Sequence, residues 1–370
     1  MAKIISIVPY PFLPARMGGQ KGVALFYKYF SRHLSLITVT TKKNDPLAAD
    51  GYEVMNILSD SKLRYINIFY LFKLGKIIRE AGATHLLLEH PYYGWLGIIL
   101  KKWYGVKLIV HSHNIENLRW KSLGKWWWPI LRIYEKATHR AADYNFFVQK
   151  EDLAYGIRHF RLSPARCLLV TYGTESSKIP DKGLIDSSRQ NVRARYRIEA
   201  DEKLLLFNGS FNHYANLSGL YKIIDIINPK LQEKADFSYK ILICGKDIPE
   251  DLMNGNIPNL LFAGFVEDID EYFRAADIFL NPIVEGGGIK TKLVEALANN
   301  LNSVSTVNGA IGVDQEICNG KLFLSEDGDW IKFTDQILEA ARFKADISNA
   351  FFYHFYWASV AEKAARFVEN

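Results

Sequence analysis

The chain has 370 residues, of which 49% are hydrophobic and 23% are charged. This length allows two domains. The composition is that of a globular protein, with no low-complexity tract, and excludes a disordered or collagen-like protein. The three cysteines, Cys167, Cys244 and Cys318, are scattered without paired or metal-like spacing, which argues against a disulfide framework or a zinc site and fits a reducing compartment.

The charge is unevenly divided between the two halves of the chain. Residues 1–173 carry 25 Lys and Arg against 11 Asp and Glu, a balance of +14. The remaining residues carry 21 against 29, a balance of −8, so the net charge is +6. A strongly basic half predicts an anionic partner, which could be nucleic acid, a membrane surface or an acidic substrate. No nucleic-acid-binding module is recognisable, so we expect no nucleic acid partner.

The sequence carries no sign of a membrane span or an export signal. No run approaches the ~20 apolar residues that a transmembrane helix requires. The first apolar run is interrupted by Pro9, Pro11 and Pro14, which is not typical of a signal peptide. We therefore expect a cytoplasmic protein whose basic half contacts the inner face of the cell membrane.

Strand-like and helix-like segments alternate along the first half. Apolar runs predict buried strands at 3–9, 36–40, 84–89, 106–111, 144–148 and 168–171. Helical spacing is found at 23–34 and 63–78. This alternation predicts a parallel, doubly wound α/β sheet.

The second half repeats the pattern after a polar segment, 174–202, in which we expect a linker with a short helix. Strands are predicted at 203–208, 239–244, 259–263, 278–281 and 303–306, with a helix at 216–231. The whole pattern predicts two Rossmann-like domains, 1–173 and 174–350, which face a central cleft, and a C-terminal helical segment, 351–370. Ligands of such sheets bind at the carboxyl ends of the strands.

A glycine-rich loop follows the strand predicted at 278–281. Three glycines, 286–288, open a segment with the spacing of a helix over 289–299. Glycine allows the close approach of a ligand, and the N–H groups and dipole of a helix N-terminus favour phosphate. Lys290 and Lys292 add positive charge, and one turn further on a carboxylate, Glu295, can accept hydrogen bonds from sugar hydroxyls. This combination predicts a nucleotide-sugar site.

The run from Gly286 to Ala296 resembles the donor-site motif of retaining GT-B glycosyltransferases of family four. That family has a Glu eight residues before the position of Glu295, where this chain has Gly287, while Glu285 lies two residues too early. One branch of the family has Gly-x-Gly-Ile-Lys-x-Lys-x-x-Glu-Ala instead, which fits closely. The resemblance implies donor contacts at Gly287, Gly288 and Ile289 and catalytic roles for Lys290, Lys292 and Glu295.

Two segments of the first half fit the same family. Gly18 and Gly19 follow the first strand, where the family contacts the donor diphosphate through the backbone; the alternative is a simple turn. The compact G-x-G-x-x-G motif of dehydrogenases is absent. The segment from His111 to Glu116 resembles the family's His-Asn-x-Glu segment, which implies that His113 hydrogen-bonds the transferred sugar or the phosphate. Alternatively, Asn114 and Glu116 cap the next helix.

Two segments of the second half also fit. The run from Phe207 to Asn216 resembles the family's Phe-x-Gly-Ser…Asn segment, which implies donor contacts at Gly209, Ser210 and His213. Relatives have Arg and Lys there to bind the diphosphate, and this chain has neither, so we expect Lys290 or Lys292 to replace them. The resemblance implies that Gly264, Phe265 and Val266 form the turn that contacts the nucleobase.

Three consecutive tryptophans, Trp126–Trp128, lie among basic residues. Tryptophan and Lys or Arg together favour a membrane interface, whereas the alternative is a core-facing aromatic cluster. Three adjacent rings cannot all face one core, so we expect at least one to be exposed. Family resemblance implies that the aromatic C-terminal segment crosses back to the first domain, although ordinary core packing explains its composition equally well.

The sequence thus predicts a retaining glycosyltransferase that moves a sugar from a nucleotide diphosphate to a glycan or lipid-linked acceptor, in polysaccharide or glycolipid assembly. We expect no cofactor and no metal, since Asp268-Ile-Asp270 is better explained as a helix start. Two alternatives remain: a GT-B nucleotide-sugar epimerase, and a catalytically degenerate sugar-nucleotide-binding partner subunit, which the missing Glu would suit.

Overall fold

The computed structural model describes residues 2–16 and 18–369, which form two compact units. Unit one comprises the chain up to Glu175 together with the residues from Phe355 onward, and unit two comprises Ser176–His354. Residues 351–354, the start of the predicted C-terminal segment, therefore belong to unit two. None of the helices in the described ranges has the length and apolar character that crossing a bilayer requires.

Unit one is built on a seven-stranded parallel sheet with the order β3-β2-β1-β4-β5-β6-β7. Its strands are β1 (Lys3–Val8), β2 (Ser35–Thr41), β3 (Glu53–Leu58), β4 (His85–Glu89), β5 (Lys107–Ser112), β6 (Tyr144–Phe147) and β7 (Cys167–Leu169). Its first helices are α1 (Gly18–Phe30), α2 (Phe69–Ala81), α3 (Gly94–Tyr104), α4 (Glu116–Ser122), α5 (Trp128–Ala141) and α6 (Lys150–Tyr155). The central strands are buried on both faces, which explains their continuous apolar runs.

Unit two is built on a six-stranded parallel sheet with the order β10-β9-β8-β11-β12-β13. Its strands are β8 (Lys203–Ser210), β9 (Tyr239–Lys246), β10 (Leu260–Gly264), β11 (Ile278–Asn281), β12 (Asn302–Thr306) and β13 (Leu322–Ser325). Its helices are α7 (Lys182–Tyr196), α8 (Tyr214–Lys222), α9 (Asn228–Lys234), α10 (Glu250–Met253), α11 (Ile269–Ala275), α12 (Thr291–Ala298), α13 (Trp330–Arg342) and α14 (Asn349–Phe355).

The last helix, α15 (Trp357–Glu369), belongs to unit one and packs along α1. The Trp357 ring is buried and lies 6.4 Å from the ring of Phe26 and 5.4 Å from that of Tyr172. A Cβ added at Gly173 would lie 2.5 Å from the Trp357 ring, so the close approach requires glycine there. Trp357 thus serves packing within unit one.

All eleven predicted strands are present, and the doubly wound α/β class is confirmed. Two further edge strands, β3 and β13, were not predicted: the apolar residues of β3 are interrupted by Asn56, and β13 is only four residues long. The helix predicted at 63–78 is a 3₁₀ turn, Lys62–Ile66, followed by α2. The short helix expected in the linker is the 15-residue α7.

Candidate functional site

Each sheet has a topological switch point, where the chain order reverses between two neighbouring strands. In unit one this point lies between β1 and β4, and in unit two between β8 and β11. Ligands of open α/β sheets bind outside the carboxyl ends of the strands at such a point. The residues that follow β4, β8 and β11 are therefore the first to consider, and they include most of the residues that the sequence singled out.

The glycine loop of unit two connects β11 to α12. Gly286 (φ +89°) and Gly288 (φ +80°) adopt left-handed backbone conformations that side chains rarely allow, and Gly287 is exposed between them. The Lys290 ammonium donates to the carbonyls of Gly286 and Gly288, at 2.9 Å each. Lys290 therefore braces the loop, and burial lowers its pKa to about 8. The helix begins at Thr291, two residues later than predicted, so Ile289 and Lys290 lie in the loop.

Lys292 connects α12 to the end of β8. Its Nζ donates to the Asn208 carbonyl at 3.0 Å and to Asn216 Oδ1 at 2.9 Å. It also lies 4.5 Å from the centroid of the Phe207 ring. Burial, with a smaller contribution from the charge of Lys290, lowers the pKa of Lys292 to about 7. An ammonium has three N–H donors, so one remains for a ligand.

The segment after β8 places its residues in different surroundings. Gly209 is required by packing, since an added Cβ would lie 2.8 Å from the Asn216 amide. That amide donates to the Ser210 carbonyl at 2.9 Å, while Ser210 Oγ donates to Asn212 Oδ1. His213 is exposed at the start of α8. Asn216 thus holds both the Ser210 backbone and Lys292, a positioning role that the sequence motif did not reveal.

The other predicted donor residues of unit two also lie near strand ends or on α12. Gly264 ends β10 with a left-handed φ of +68°, and the Phe265 ring that follows is 61% exposed. The Lys246 ammonium lies 4.4 Å from the centroid of that ring, and Val266 is half-buried. Glu295 is half-buried in the middle of α12. An exposed aromatic ring beside a lysine suits the stacking of a base.

At the ends of β4 and β5, unit one holds a carboxylate between two imidazoles. Glu89 Oε1 lies 3.1 Å from His111 Nδ1, and Glu89 Oε2 lies 2.5 Å from His113 Nε2. Burial opposes the ionisation of Glu89, but the two imidazoles outweigh it and hold its pKa below the usual range. The ligand atoms of all three lie within 4.8 Å of one another, so this group could hold a metal ion; the described residues contain no other such group.

A second carboxylate adjoins this cluster. His90 Nδ1 lies 3.0 Å from Glu116 Oε1, and the Tyr92 hydroxyl donates to Glu116 Oε2 at 2.5 Å. The rings of His90 and His113 stack with their centroids 4.8 Å apart, which joins the two carboxylates through imidazoles. His90 also has a φ of +68°, a strained backbone for a residue other than glycine.

The hypothesis that Asn114 and Glu116 cap the following helix is wrong: the N-cap position is Ile115, without a side-chain cap, and the Glu116 side chain contacts His90 and Tyr92. The backbone N–H groups of Glu116 and Asn117 are capped instead by Glu135, at 2.8 and 2.9 Å. Burial raises the pKa of Glu135 to about 7. Local sequence could not reveal this cap, because Glu135 comes from the next helix, α5.

Gly18 and Gly19 lie in the first turn of α1, which begins five residues before the helical spacing found at 23–34. A Cβ added at Gly19 would meet no atom within 4 Å, so packing does not require glycine at this position. Of the three tryptophans, Trp126 is 81% exposed, as expected for at least one of them. Trp127 packs at 4.8 Å against the Trp120 ring, and Lys121 lies over Trp128.

Family models match both halves of the chain. Residues 18–176 match the model described as Glycosyltransferase Family 4, and residues 202–342 match the one described as Glycosyl transferases group 1. The chain belongs to this glycosyltransferase family. The resemblance seen in the donor-site motif is thereby confirmed at the level of the family.

Individual relatives of this family 4 glycosyltransferase are distant. It is 25% identical, over 219 residues, to the chitobiosyldiphosphodolichol beta-mannosyltransferase of Debaryomyces hansenii; the match covers 50% of this chain and 45% of that protein. The chain spans less than half the length of the curated relatives it matches.

The GT-B fold is shown by solved structures that match nearly the whole chain. HepE of Anabaena, in complex with UDP, superposes with a TM-score of 0.74 at 14% identity and covers 99% of each chain. Sucrose-phosphate synthase of Thermosynechococcus elongatus superposes with a TM-score of 0.70 at 15% identity, covering 99% of this chain and 98% of that one.

Proposed function

We propose that this family member transfers a sugar from a nucleotide-diphosphate sugar to a hydroxyl group of a glycan or lipid-linked acceptor. The observation that carries the proposal is the position of Lys292: its ammonium is fixed at the switch point of unit two by two acceptors, with one N–H remaining. Support for the donor class comes from HepE, which was solved with UDP. Support for the acceptor class comes from the matched mannosyltransferase, whose name includes a diphosphodolichol.

In the proposed reaction the bond between the sugar C1 and the phosphate oxygen breaks, and a bond forms between C1 and the acceptor oxygen on the same face. The acceptor proton passes to the leaving diphosphate, so the products are a glycoside and a nucleoside diphosphate. Retention follows from the family resemblance. Lys292, the loop backbone of Gly287 and Gly288, and the start of α12 stabilise the charge that develops on the leaving phosphate. No metal is required for this role, because the lysines supply the positive charge.

The remaining residues of each unit have proposed roles in binding the donor. Glu295 accepts hydrogen bonds from the donor ribose, and the Gly264-Phe265-Val266 turn contacts the base. In unit one, His113 hydrogen-bonds the sugar or its phosphate and Glu89 positions His113 through the 2.5 Å contact. Unit one holds the acceptor, and the enzyme acts in the cytoplasm at the inner face of the membrane.

Calorimetry of the full chain with a panel of nucleoside diphosphates tests the donor class. We expect one diphosphate to bind more tightly than its nucleoside, because only the diphosphate reaches Lys292. Turnover of the corresponding nucleotide-sugar, with and without glycan and lipid-linked acceptors, then tests transfer. Binding without turnover under every acceptor condition would favour a partner subunit, and conversion of the donor sugar to its epimer would favour an epimerase.

A further inference from the structure

Ten large apolar side chains of unit one are exposed in two segments that are about fifty residues apart in sequence. We call these ten residues the apolar face. In the first segment the exposed members are Leu63, Ile66, Ile68, Phe69 and Phe72, of which Ile66 is 70% exposed. In the second they are Leu118, Leu123, Trp126, Ile130 and Ile133, of which Trp126 is 81% exposed. Single exposed apolar residues are ordinary, but concentrations of this kind mark interaction surfaces.

A layer of aromatic residues connects the two segments. Tyr65, from the 3₁₀ turn of the first segment, lies 5.8 Å from the ring of Tyr92. The Tyr92 hydroxyl accepts a hydrogen bond from Trp120 Nε1, in the second segment, at 3.1 Å. Trp95 also connects the two segments. Its indole N–H donates to the Tyr65 carbonyl at 2.8 Å, in the first segment. Its backbone N–H donates to the Tyr134 hydroxyl at 3.0 Å, on α5.

Two helices present apolar residues on the side that faces away from the core. On α2, Tyr70, Leu71 and Leu74 pack inside, while Phe69 and Phe72 are exposed at a spacing of three residues. On α5, Ile130 and Ile133 are exposed at the same spacing. Residues three apart lie on one side of a helix. Neither outward side is therefore explained by packing within unit one.

The charge around the apolar face has one sign. Residues 62–80 contain five Lys and Arg and one acidic residue, and residues 116–140 contain six Lys and Arg and two acidic residues. The two acidic residues of the second segment, Glu116 and Glu135, have fully buried side chains, so they do not offset the basic surface. Exposed aromatic and aliphatic residues among Lys and Arg are the composition of surfaces that bind an anionic bilayer.

We propose that the apolar face docks unit one onto an anionic lipid bilayer, with Phe69, Phe72 and Trp126 entering the headgroup region. This inference rests on the proposed function, for which it supplies the surface that brings the enzyme to a lipid-linked acceptor. From the sequence, only Trp126–Trp128 were expected to contact the membrane. In the structure Trp127 and Trp128 are half-buried, and the exposed apolar residues around α2 form the other part of the proposed membrane contact. A second copy of the chain fits this face poorly, because docking would bring the same basic residues together.

Vesicle co-sedimentation of the full chain tests the proposal, with phosphatidylcholine vesicles prepared with and without phosphatidylglycerol. The first variant is Phe69→Ser with Phe72→Ser, and the second is Lys73→Glu with Lys76→Glu. The matched control is Leu184→Ser with Ile331→Ser, which removes side chains of 48% and 56% exposure from unit two. All the changed side chains are exposed, so thermal unfolding of every variant should match the wild type.

We expect the wild type to bind phosphatidylglycerol vesicles at least about tenfold more tightly than neutral ones, since each nearby Lys or Arg strengthens binding about fivefold. The phenylalanine variant should bind anionic vesicles at least about tenfold more weakly. The glutamate variant should lose the preference for anionic lipid, and the control should sediment like the wild type. Nucleoside diphosphate affinity should be unchanged in all of them.

Equal sedimentation of the wild type with neutral and anionic vesicles would overturn the proposal, as would a phenylalanine variant that binds like the control. A self-associating wild type whose phenylalanine variant is monomeric in analytical ultracentrifugation would show that a second copy covers the face. If the lipid results hold but no nucleoside diphosphate binds, the proposed function fails while the docking surface stands.

Discussion

Both units have charged side chains at the strand ends of a parallel sheet. The units differ in the sign of those charged groups and in the partners that hold them. In unit one, Glu89 at the end of β4 and Glu116 at the start of α4 are carboxylates held by imidazoles and a tyrosine hydroxyl, and burial lowers the pKa of His90 and His111, which keeps those two rings neutral. In unit two, the ammonium groups of Lys290 and Lys292 are held by carbonyl and amide oxygens. A cation fixed by neutral acceptors keeps its positive potential for a ligand.

This difference shows that net charge and site charge are separate properties. Residues 174–370 are acidic, at −8, yet they contain the pair of half-buried lysines, Lys290 and Lys292, that suits a diphosphate. The basic half, at +14, has a cluster built around two carboxylates, Glu89 and Glu116, and carries its excess charge on an exposed surface. Overall charge therefore indicated a partner for the surface of unit one and gave no information about the donor site.

The largest expected effect concerns the carboxylate that holds two imidazoles in unit one. Glu89→Ala would leave the buried His111 ring and the half-buried His113 ring without their acceptor, and each polar group left unpaired costs about 1–3 kcal/mol. The urea midpoint of this variant should fall accordingly, while Glu53→Ala, at an exposed position of β3, should leave it nearly unchanged. Wild-type stability in Glu89→Ala would mean that the cluster does not hold the ends of β4 and β5 together.

Glu295 tests whether the carboxylate of α12 belongs to the donor site. Removing its hydrogen bonds to the ribose by Glu295→Ala should weaken nucleoside diphosphate binding by about 1.5–3 kcal/mol. Since the ribose is common to both ligands, the nucleoside should lose affinity equally. Unchanged calorimetric affinity in a folded variant would remove Glu295 from the site.

The lowered pKa of Lys292 makes donor binding depend on pH. With a pKa of about 7 in the free protein, Lys292 is largely neutral at pH 8, and a bound diphosphate raises that pKa by favouring the charged form. Binding must then take up a proton, so affinity should fall as the pH rises above 7, by at most about tenfold per unit. Calorimetry in buffers of different ionisation enthalpy measures this uptake; a pH-independent affinity between 7 and 9 would contradict it.

The smallest expected effect concerns Gly19 in the first turn of α1. Alanine there meets no atom of the protein, and it should raise stability by at most about 1 kcal/mol because alanine favours the helix. If the backbone at this position contacts the diphosphate, Gly19→Ala should weaken donor binding despite the gain in stability. Unchanged donor affinity would leave Gly19 as an ordinary helix residue.

Local patterns predicted the strands and the glycine loop because those features depend on neighbours in sequence. The apolar run of β11 and the glycines at 286–288 are examples. Contacts between distant residues were not predictable: Asn216 holds Lys292 across 76 positions, and Glu135 caps α4 across 19. The motif predicted that a lysine replaces the missing diphosphate contacts, but only the structure distinguishes Lys292, which contacts the end of β8 from α12, from Lys290, which braces its own loop.

The most direct test of the account compares the affinity of Lys292→Gln for the preferred nucleoside diphosphate and for the matching nucleoside. The account predicts that the diphosphate loses about 1.5–3 kcal/mol, roughly ten- to 150-fold, while the nucleoside binds as in the wild type. Lys332→Gln, on the exposed surface of α13, serves as the matched control and should change neither affinity. Equal losses for diphosphate and nucleoside, or no loss for either, would contradict the claim that Lys292 binds the diphosphate.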